Sequence, residues 1–265
     1  MSAANLETVL VTGASSGIGL ELARCFAAEG SRLILVARNT SALDKLAEEL
    51  RRDYKVEAIV LSADLSLPET PKKIFSELKG RGIVVDVLVN NAGFGAHGLF
   101  SELPLQRQLE MIQVNVTALT ELTGLFLPGM VERHRGGVLN VASVAGFVPG
   151  PGMAVYYATK AFVLSFSEAL AGELAGTGVK VMALCPGPTA TNFGKVAHFN
   201  DNNDNARLVR VASMTAEEVA VKGHKAFRAG RVVAVSGWRN RLLVLLIRMT
   251  PRLLVRRIAR KFNGF

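Results

Sequence analysis

The chain has 265 residues, of which 49% are hydrophobic and 20% are charged, and its formal net charge is +9. This length and apolar content are sufficient for one large α/β domain and do not require a second one. The two cysteines, Cys25 and Cys185, are too few and too far apart to predict a disulfide framework or a metal site.

Short apolar runs alternate with helical patterns along the chain. The predicted strands are 8–11, 32–37, 57–61, 85–89, 137–142, 179–185 and 232–235, and the predicted helices are 18–28, 41–51, 68–79, 105–132, 156–174 and 215–227. Runs this short and apolar are typical of parallel strands that are buried on both faces. We therefore predict an α/β fold with one Rossmann-like domain over residues 1–237, a doubly wound parallel sheet of about seven strands flanked by helices.

A glycine-rich turn directly follows the first predicted strand and opens the first predicted helix. Its spacing is G-x-x-x-G-x-G, which differs from the general dinucleotide fingerprint, so the prediction depends on its position in the chain. Glycines allow close approach of the backbone, and a helix N-terminus presents unpaired N–H groups to a phosphate. We predict a dinucleotide pyrophosphate site formed by Gly13, Ser15, Ser16, Gly17, Ile18 and Gly19.

Arg38 follows the second predicted strand, at the place where this kind of fold delivers a residue to the adenosine ribose. A carboxylate there accepts a hydrogen bond from the ribose 2′-OH and favours NAD, whereas an arginine binds a 2′-phosphate. The sequence therefore favours NADP(H) over NAD(H). The alternative is a solvated arginine at the start of a loop.

Tyr156 and Lys160 are four residues apart in a predicted helix, so they share one face. A nearby ammonium favours the ionised form of a phenol, and we expect Lys160 to lower the pKa of Tyr156. An ordinary pair on a helix surface is the alternative interpretation. Tyr157, three residues before Lys160, is a rival for the same role.

Further polar motifs follow the later predicted strands: Asp64-Leu65, Asn90-Asn91-Ala92-Gly93, Asn115, Ser143, and Pro186-Gly187 with Thr189 and Thr191. With the glycine-rich turn, Tyr156 and Lys160, these motifs resemble the short-chain dehydrogenase/reductase family in content and order, from about Thr8 to about Gly237. In the family pattern the active serine stands thirteen residues before the active tyrosine, and Ser143 has this spacing from Tyr156. Ala142 is a minor departure, because many relatives carry a second serine there.

This resemblance implies an NADP(H)-dependent oxidoreductase that interconverts a carbonyl and an alcohol by hydride transfer. It implies that Ser143 hydrogen-bonds the substrate oxygen and that Tyr156 is the general acid or base. Lys160 is expected to hold the ribose hydroxyls of the nicotinamide half, and Asn115 to position a water. The rival hypothesis is a non-catalytic NADP(H) sensor or a membrane-associated scaffold that keeps the fold.

The resemblance also assigns the remaining cofactor contacts and an assembly. Asp64 and Leu65 are expected to border the adenine. The adenosine half is expected to lie against Asn91, Ala92 and Gly93, and the carboxamide and phosphate against Pro186, Gly187, Thr189 and Thr191. A homodimer or homotetramer is implied.

The substrate is predicted to be a lipophilic ketone or aldehyde. Residues 192–213 occupy the place of the family's variable substrate lid, and apolar side chains near it can form walls of a cleft. With Ser143 and Tyr156, we assign substrate contacts to Phe147, Met153 and Phe193.

The end of the chain, 238–265, is predicted to be a basic amphipathic extension. After Glu218 there are twelve lysines and arginines and no acidic residue, and Pro251 is expected to divide the segment into two short helices. Neither half reaches the roughly twenty apolar residues that span a bilayer. Two alternatives are contact with the inner face of an anionic membrane and packing on the body or on a sister subunit. No motif indicates nucleic-acid binding, and the N-terminus lacks signal-peptide regions, which predicts a cytoplasmic protein.

Overall fold

The computed structural model describes residues 6–191 and 213–262, with side chains to residue 260. Its strands are β1 (Thr8–Thr12), β2 (Arg32–Ala37), β3 (Ala58–Ser62), β4 (Val87–Asn90), β5 (Gly136–Val141), β6 (Val179–Cys185), β7 (Thr189–Ala190), β8 (Met214–Thr215) and β9 (Val233–Val235). A parallel 7-stranded sheet has the order β3-β2-β1-β4-β5-β6-β9, and β7 pairs with β8. The predicted α/β fold with its parallel sheet is confirmed.

Helices cover both faces of this sheet: α1 (Gly17–Ala28), α2 (Thr40–Tyr54), α3 (Thr70–Gly80), α4 (Leu105–Ile112), α5 (Leu119–Glu132), α6 (Ala154–Glu173), α7 (Ala216–Arg228), α8 (Trp238–Met249) and α9 (Arg252–Phe262). Apolar side chains of α1, α2 and α7 pack on one face of the strands, and those of α3, α5 and α6 pack on the other. Each strand therefore contributes to two cores, which explains its continuous apolar sequence. As predicted, two helices, α8 and α9, flank Pro251.

The predicted helix 105–132 contains a break in its hydrogen-bonding pattern. A π-helical turn, Gln113–Ala118, separates α4 from α5, so the chain carries one extra residue per turn there. By length and hydropathy alone, the whole stretch Leu105–Glu132 is long and apolar enough to cross a membrane. However, Leu122, Phe126 and Met130 are buried in the core beneath the sheet, so the structure accounts for this hydropathy as that of a core helix.

A ladder of buried polar side chains crosses the centre of the sheet. The Asn90 amide on β4 donates to Thr123 Oγ1 of α5 (3.1 Å) and to Asn140 Oδ1 of β5 (2.9 Å). The Asn140 amide donates in turn to Ser167 Oγ of α6 (2.9 Å). Because a buried amide without partners is costly, these bonds fix how α5 and α6 sit against the two central strands.

We predict that Asn140→Ala lowers the free energy of unfolding by about 2–3 kcal/mol, because the substitution leaves the Asn90 amide short of a buried acceptor. Urea unfolding monitored by circular dichroism measures this change. The matched comparison is Asn39→Ala, which removes an exposed N-cap of α2 and should cost about 1 kcal/mol. Equal losses in the two variants would contradict a structural role for the ladder.

Candidate active site

The first and fourth strand-to-helix turns are joined side by side at the carboxyl edge of the sheet. Thr12 Oγ1 donates to Val89 O (3.2 Å) and accepts hydrogen bonds from the N–H groups of Asn91 and Ala92 (3.0 Å each). The Asn91 side-chain amide donates to Thr12 O (3.0 Å) and Gly13 O (3.1 Å). β1 and β4 are neighbours in the sheet although they are distant in sequence, so this junction lies at the topological switch point, where open α/β sheets bind ligands.

The glycines of the first turn are required by this junction. Gly13 has a φ of +66°, and a Cβ there would lie 2.8 Å from Asn91 Nδ2 and 2.9 Å from Ala92 Cα. Gly17 has a φ of +60° and its Cβ would lie 3.2 Å from Thr191 Cγ2. A Cβ on Gly19 would lie 2.5 Å from Gly13 O. Side chains at these positions would therefore displace the backbone from the edge of the sheet.

The first turn of α1 has the features of an anion site. Ser16 is the N-cap residue in an extended conformation, its side chain does not cap the helix, and the first turn carries no acidic residue. The backbone N–H groups of this turn are therefore available to an anionic group, and the helix dipole favours one. The residues from Gly13 to Gly19 thus fit the pyrophosphate of a dinucleotide.

Arg38 and Asp64 follow two adjacent strands, β2 and β3. Arg38 is exposed, and no carboxylate of the described chain forms a salt bridge with it. Burial raises the pKa of Asp64, but hydrogen bonds from Ser66 and the positive charge of Arg38 outweigh it, so the pKa lies below its usual value. Leu65 is 7% exposed and its side chain packs in the core.

Ser143 and Tyr156 meet beside the end of β5. Tyr156 is half-buried by surface area but densely surrounded by protein, and this burial raises its pKa to about 12, while a hydrogen bond with Ser143 acts to lower it. The Ser143 hydroxyl accepts from Ala145 N–H (3.1 Å), and its own hydrogen is directed to Pro186 O over 3.5 Å, a weak contact. The serine hydrogen is therefore available to a stronger acceptor.

Lys160 is almost completely buried on the same helix, at 6% exposure. Its Nζ donates to Val141 O (2.7 Å) and lies 5.9 Å from the centroid of the Tyr156 ring. Burial lowers the pKa of Lys160 to about 8. The expectation that Lys160 lowers the pKa of Tyr156 is not met in this structure: the pKa of Tyr156 is raised instead, since burial penalises the charged forms of both groups.

Asn115 lies in the π-helical turn and connects the segment after β4 to α6. Its Oδ1 accepts from Phe94 N–H (3.1 Å), and its Nδ2 donates to Phe94 O (2.9 Å) and Thr159 Oγ1 (3.1 Å). Thr159 Oγ1 then donates to Tyr156 O (2.7 Å). Thr159 was not predicted as a member of the site, although its position directly before Lys160 was a signal. A Cβ on Gly93 would lie 3.0 Å from Asn115 Oδ1, so this approach also requires a glycine.

The segment after β6 contacts both α8 and the glycine-rich turn that follows β1. The backbone at Gly187 lies against the side-chain amide of Asn240 on α8, and Thr189 Oγ1 donates to Gly187 O (2.9 Å). Thr191 lies beside the backbone of Gly17. The structure therefore brings Thr191, one of the residues predicted for the carboxamide and phosphate, next to the glycine-rich turn.

The predicted substrate contacts are described only in part. Phe147 ends a short 3-10 turn, Val144–Phe147, and the guanidinium of Arg248 lies 5.4 Å from its ring centroid. Met153 is 5% exposed, so most of its surface is covered by protein. Phe193 and residues 192–212 of the predicted lid lie outside the described residues.

Comparisons with known proteins agree with this geometry. The sequence model of the short chain dehydrogenase family matches residues 7–202. A very-long-chain 3-oxoacyl-CoA reductase of Macaca fascicularis is 34% identical over 194 residues, which are 72% of this chain and 62% of the relative. The chain thus matches less than two thirds of the length of that curated relative.

Two solved structures extend the similarity over nearly the whole chain. A short-chain dehydrogenase from Sphingobium yanoikuyae in complex with NADPH is 35% identical, with a TM-score of 0.81 and coverage of 91% of this chain and 92% of that one. A short-chain dehydrogenase/reductase from Burkholderia phymatum in complex with NAD is 27% identical, with a TM-score of 0.81 and coverage of 93% and 94%. The fold, the glycine-rich turn and the family match together assign this chain to the short-chain dehydrogenase/reductase family.

Proposed function

We propose that the chain is an NADP(H)-dependent oxidoreductase that interconverts a lipophilic ketone or aldehyde and the corresponding alcohol. The observation that carries this proposal is the convergence of the Ser143 hydroxyl and the Tyr156 ring beside the buried amine of Lys160, which lies 5.9 Å from the centroid of that ring. These groups stand near the ends of β5 and β6, at the same edge of the sheet as the glycine-rich turn. Membership of an oxidoreductase family supports the same conclusion.

A bound nicotinamide dinucleotide would supply hydride to the carbonyl carbon of the substrate. Negative charge would then develop on the carbonyl oxygen. Ser143 would donate its weakly bound hydrogen to that oxygen, and Tyr156 would transfer its proton to it. A phenol whose pKa is about 12 is protonated at neutral pH, so Tyr156 is ready to act as an acid in the direction of reduction.

Lys160 and Asn115 would support this proton transfer through the hydrogen bonds that they already form in the structure. One N–H of the Lys160 amine is held by Val141 O, and the other two remain for the ribose hydroxyls of the cofactor. Asn115 fixes Phe94 and, through Thr159, the first turn of α6. These hydrogen bonds therefore fix the distance between Tyr156 and the segment that follows β4.

The preference for NADP(H) rests on Arg38. The exposed guanidinium of Arg38 forms no salt bridge in the described chain, so it can bind a 2′-phosphate through two hydrogen bonds. Its positive charge would also offset the repulsion between that phosphate and the nearby Asp64 carboxylate. Relatives of known structure hold either NADPH or NAD, so this residue carries the preference. The lipophilic substrate is supported by Phe147 and by the name of the Macaca fascicularis relative, a very-long-chain 3-oxoacyl-CoA reductase.

Incubation of the chain with NADPH and a panel of steroid, fatty-acyl and aromatic carbonyl compounds tests the activity directly. We expect oxidation of NADPH, followed at its absorbance, with at least one lipophilic carbonyl. Tight NADPH binding without turnover across the panel would contradict the enzyme proposal and favour the sensor hypothesis.

We predict that Tyr156→Phe lowers turnover by about 10²–10⁴-fold, because it removes the proton donor. The affinity for NADPH, measured by fluorescence titration, should change less than about twofold, since the phenol OH makes only a small part of the cofactor site. Tyr157→Phe is the matched control, because the Tyr157 ring packs over Gly150, and it should keep its activity. An active Tyr156→Phe together with an inactive Tyr157→Phe would overturn the assignment.

We predict that Arg38→Leu weakens NADPH binding by about 10–100-fold and leaves NADH binding nearly unchanged, because only NADPH carries the 2′-phosphate. Titration of each cofactor against the variant gives the ratio. Arg52→Leu is the control, since Arg52 is an exposed arginine near the far end of α2, roughly 20 Å along the helix. Equal losses for both cofactors would show that Arg38 does not set the preference.

A further inference from the structure

The C-terminal helices expose an apolar stripe that no described part of the chain covers. Trp238, Leu242, Leu245 and Met249 follow each other on α8 at intervals of four, three and four residues, so they lie on one face. Their exposures are 70%, 49%, 55% and 76%. We refer to these four residues as the α8 stripe.

The opposite side of α8 is held by the body of the protein. Val244 is 7% exposed, and the Asn240 amide donates to Ser236 O (2.6 Å). Arg248 lies over the Phe147 ring and pairs with Glu168 at 3.8 Å. At 3.6 residues per turn, Val244 lies roughly 130° around the helix from the middle of the α8 stripe. The packing of α8 therefore turns the stripe away from the protein.

Helix α9 repeats this arrangement with a higher charge. Leu254 and Ile258 are four residues apart and remain 47% and 64% exposed, while Val255 beside them is 9% exposed. Arg252, Arg256 and Arg260 lie on the other side of the helix, and Arg257 lies at the edge of the apolar side, next to Leu254. All four arginines are exposed. No carboxylate in residues 6–191 or 213–260 forms a salt bridge with any of these four.

The positive charge of α8 and α9 indicates which kind of surface these helices bind. The segment from Trp238 onward contains eight basic residues and no acidic one. On α8, Arg239 lies beside the stripe, with its guanidinium 5.5 Å from the centroid of the Trp238 ring, and its long side chain can reach outward past an apolar face that is buried in lipid. Arg241, on the other side, donates to Val235 O of the body (3.1 Å). Exposed apolar side chains flanked by arginines are typical of helices that lie in the interface of an anionic bilayer. Pairing of α8 and α9 with the same helices of a second copy would instead bring like charges together.

We propose that α8 and α9 dock on the surface of an anionic phospholipid membrane, with the α8 stripe and Leu254 and Ile258 inserted below the headgroups. Because α8 packs against the turn Val144–Phe147, docking brings the neighbourhood of Ser143 within about one helix diameter, roughly 10 Å, of the lipid. If the proposed function holds, a lipophilic substrate then reaches the site from the bilayer, but the docking itself does not depend on catalysis.

Trp238 makes the proposal measurable on the unmodified chain, because it is the single tryptophan of the sequence and it belongs to the α8 stripe. We expect its emission to shift to shorter wavelength when vesicles of phosphatidylcholine with roughly 30% phosphatidylserine are added, and to shift much less with phosphatidylcholine alone. The shift should be reversed by high salt, which screens the arginines. No shift with the anionic vesicles would overturn the proposal.

Flotation with the same vesicles separates the contribution of the arginines to membrane binding from that of the apolar side chains. The triple variant Arg252→Gln, Arg256→Gln, Arg257→Gln should bind about 100-fold more weakly, from about fivefold per arginine, whereas Arg52→Gln with Arg81→Gln should bind as the parent does. Leu242→Ser with Leu245→Ser should also lose binding, and Leu67→Ser with Val84→Ser, at exposed apolar sites in the body, should not.

A second copy of the chain is the competing occupant of the α8 stripe. In that case the Trp238 emission would shift with protein concentration in the absence of lipid, and sedimentation would show an association that Leu242→Ser with Leu245→Ser abolishes. This result would overturn membrane docking. NADPH affinity of each variant confirms that it is folded, so a failure of docking remains distinct from a failure of the proposed activity.

Discussion

The arrangement of the site depends on one hydroxyl group, that of Thr12. It donates to β4 and accepts from the two N–H groups that follow β4, so the turn after β1 and the turn after β4 cannot move apart. The Asn91 amide reinforces the junction from the other side by binding the carbonyls of Thr12 and Gly13. The close approach leaves no space for a Cβ at Gly13 or Gly19, so the glycine pattern follows from the junction as much as from any ligand.

Tight packing also determines the pKa values of the two titratable groups on α6. Tyr156 and Lys160 are both surrounded by protein, and loss of water disfavours the phenolate and the ammonium alike. The nearest partner of the amine is the carbonyl of Val141 rather than a carboxylate. The tyrosine is thereby kept as a proton donor at neutral pH, and the lysine has a pKa of about 8, close enough to neutrality to respond to an anionic group placed beside it.

The fold was predictable because both faces of every central strand are buried. Each of these strands therefore has a continuous run of apolar residues, which can be recognised in the sequence. The position of the candidate site in the fold was predictable, because polar residues at strand ends converge on one edge of a parallel sheet. The pKa values of the site were not predictable, because a pKa depends on burial, which neighbours in sequence do not report. Burial raises the pKa of Tyr156, whereas the sequence led us to expect a lower one. Hydrophobic periodicity also could not show the π-helical turn at Asn115, since one inserted residue changes the pattern less than ordinary variation does.

The order of the strands has a consequence for the way the chain assembles as it is synthesised. The first four strands, β1 to β4, are contiguous in the sheet and end at Asn90, so half of the sheet, with its glycine-rich turn, can form from the first third of the chain. Growth then continues at one side only, as β5, β6 and β9 dock in the order in which they leave the ribosome. A truncated chain that ends before Val233 would expose β6 as an unpaired edge strand of seven residues. Such an edge can pair with a strand of another chain.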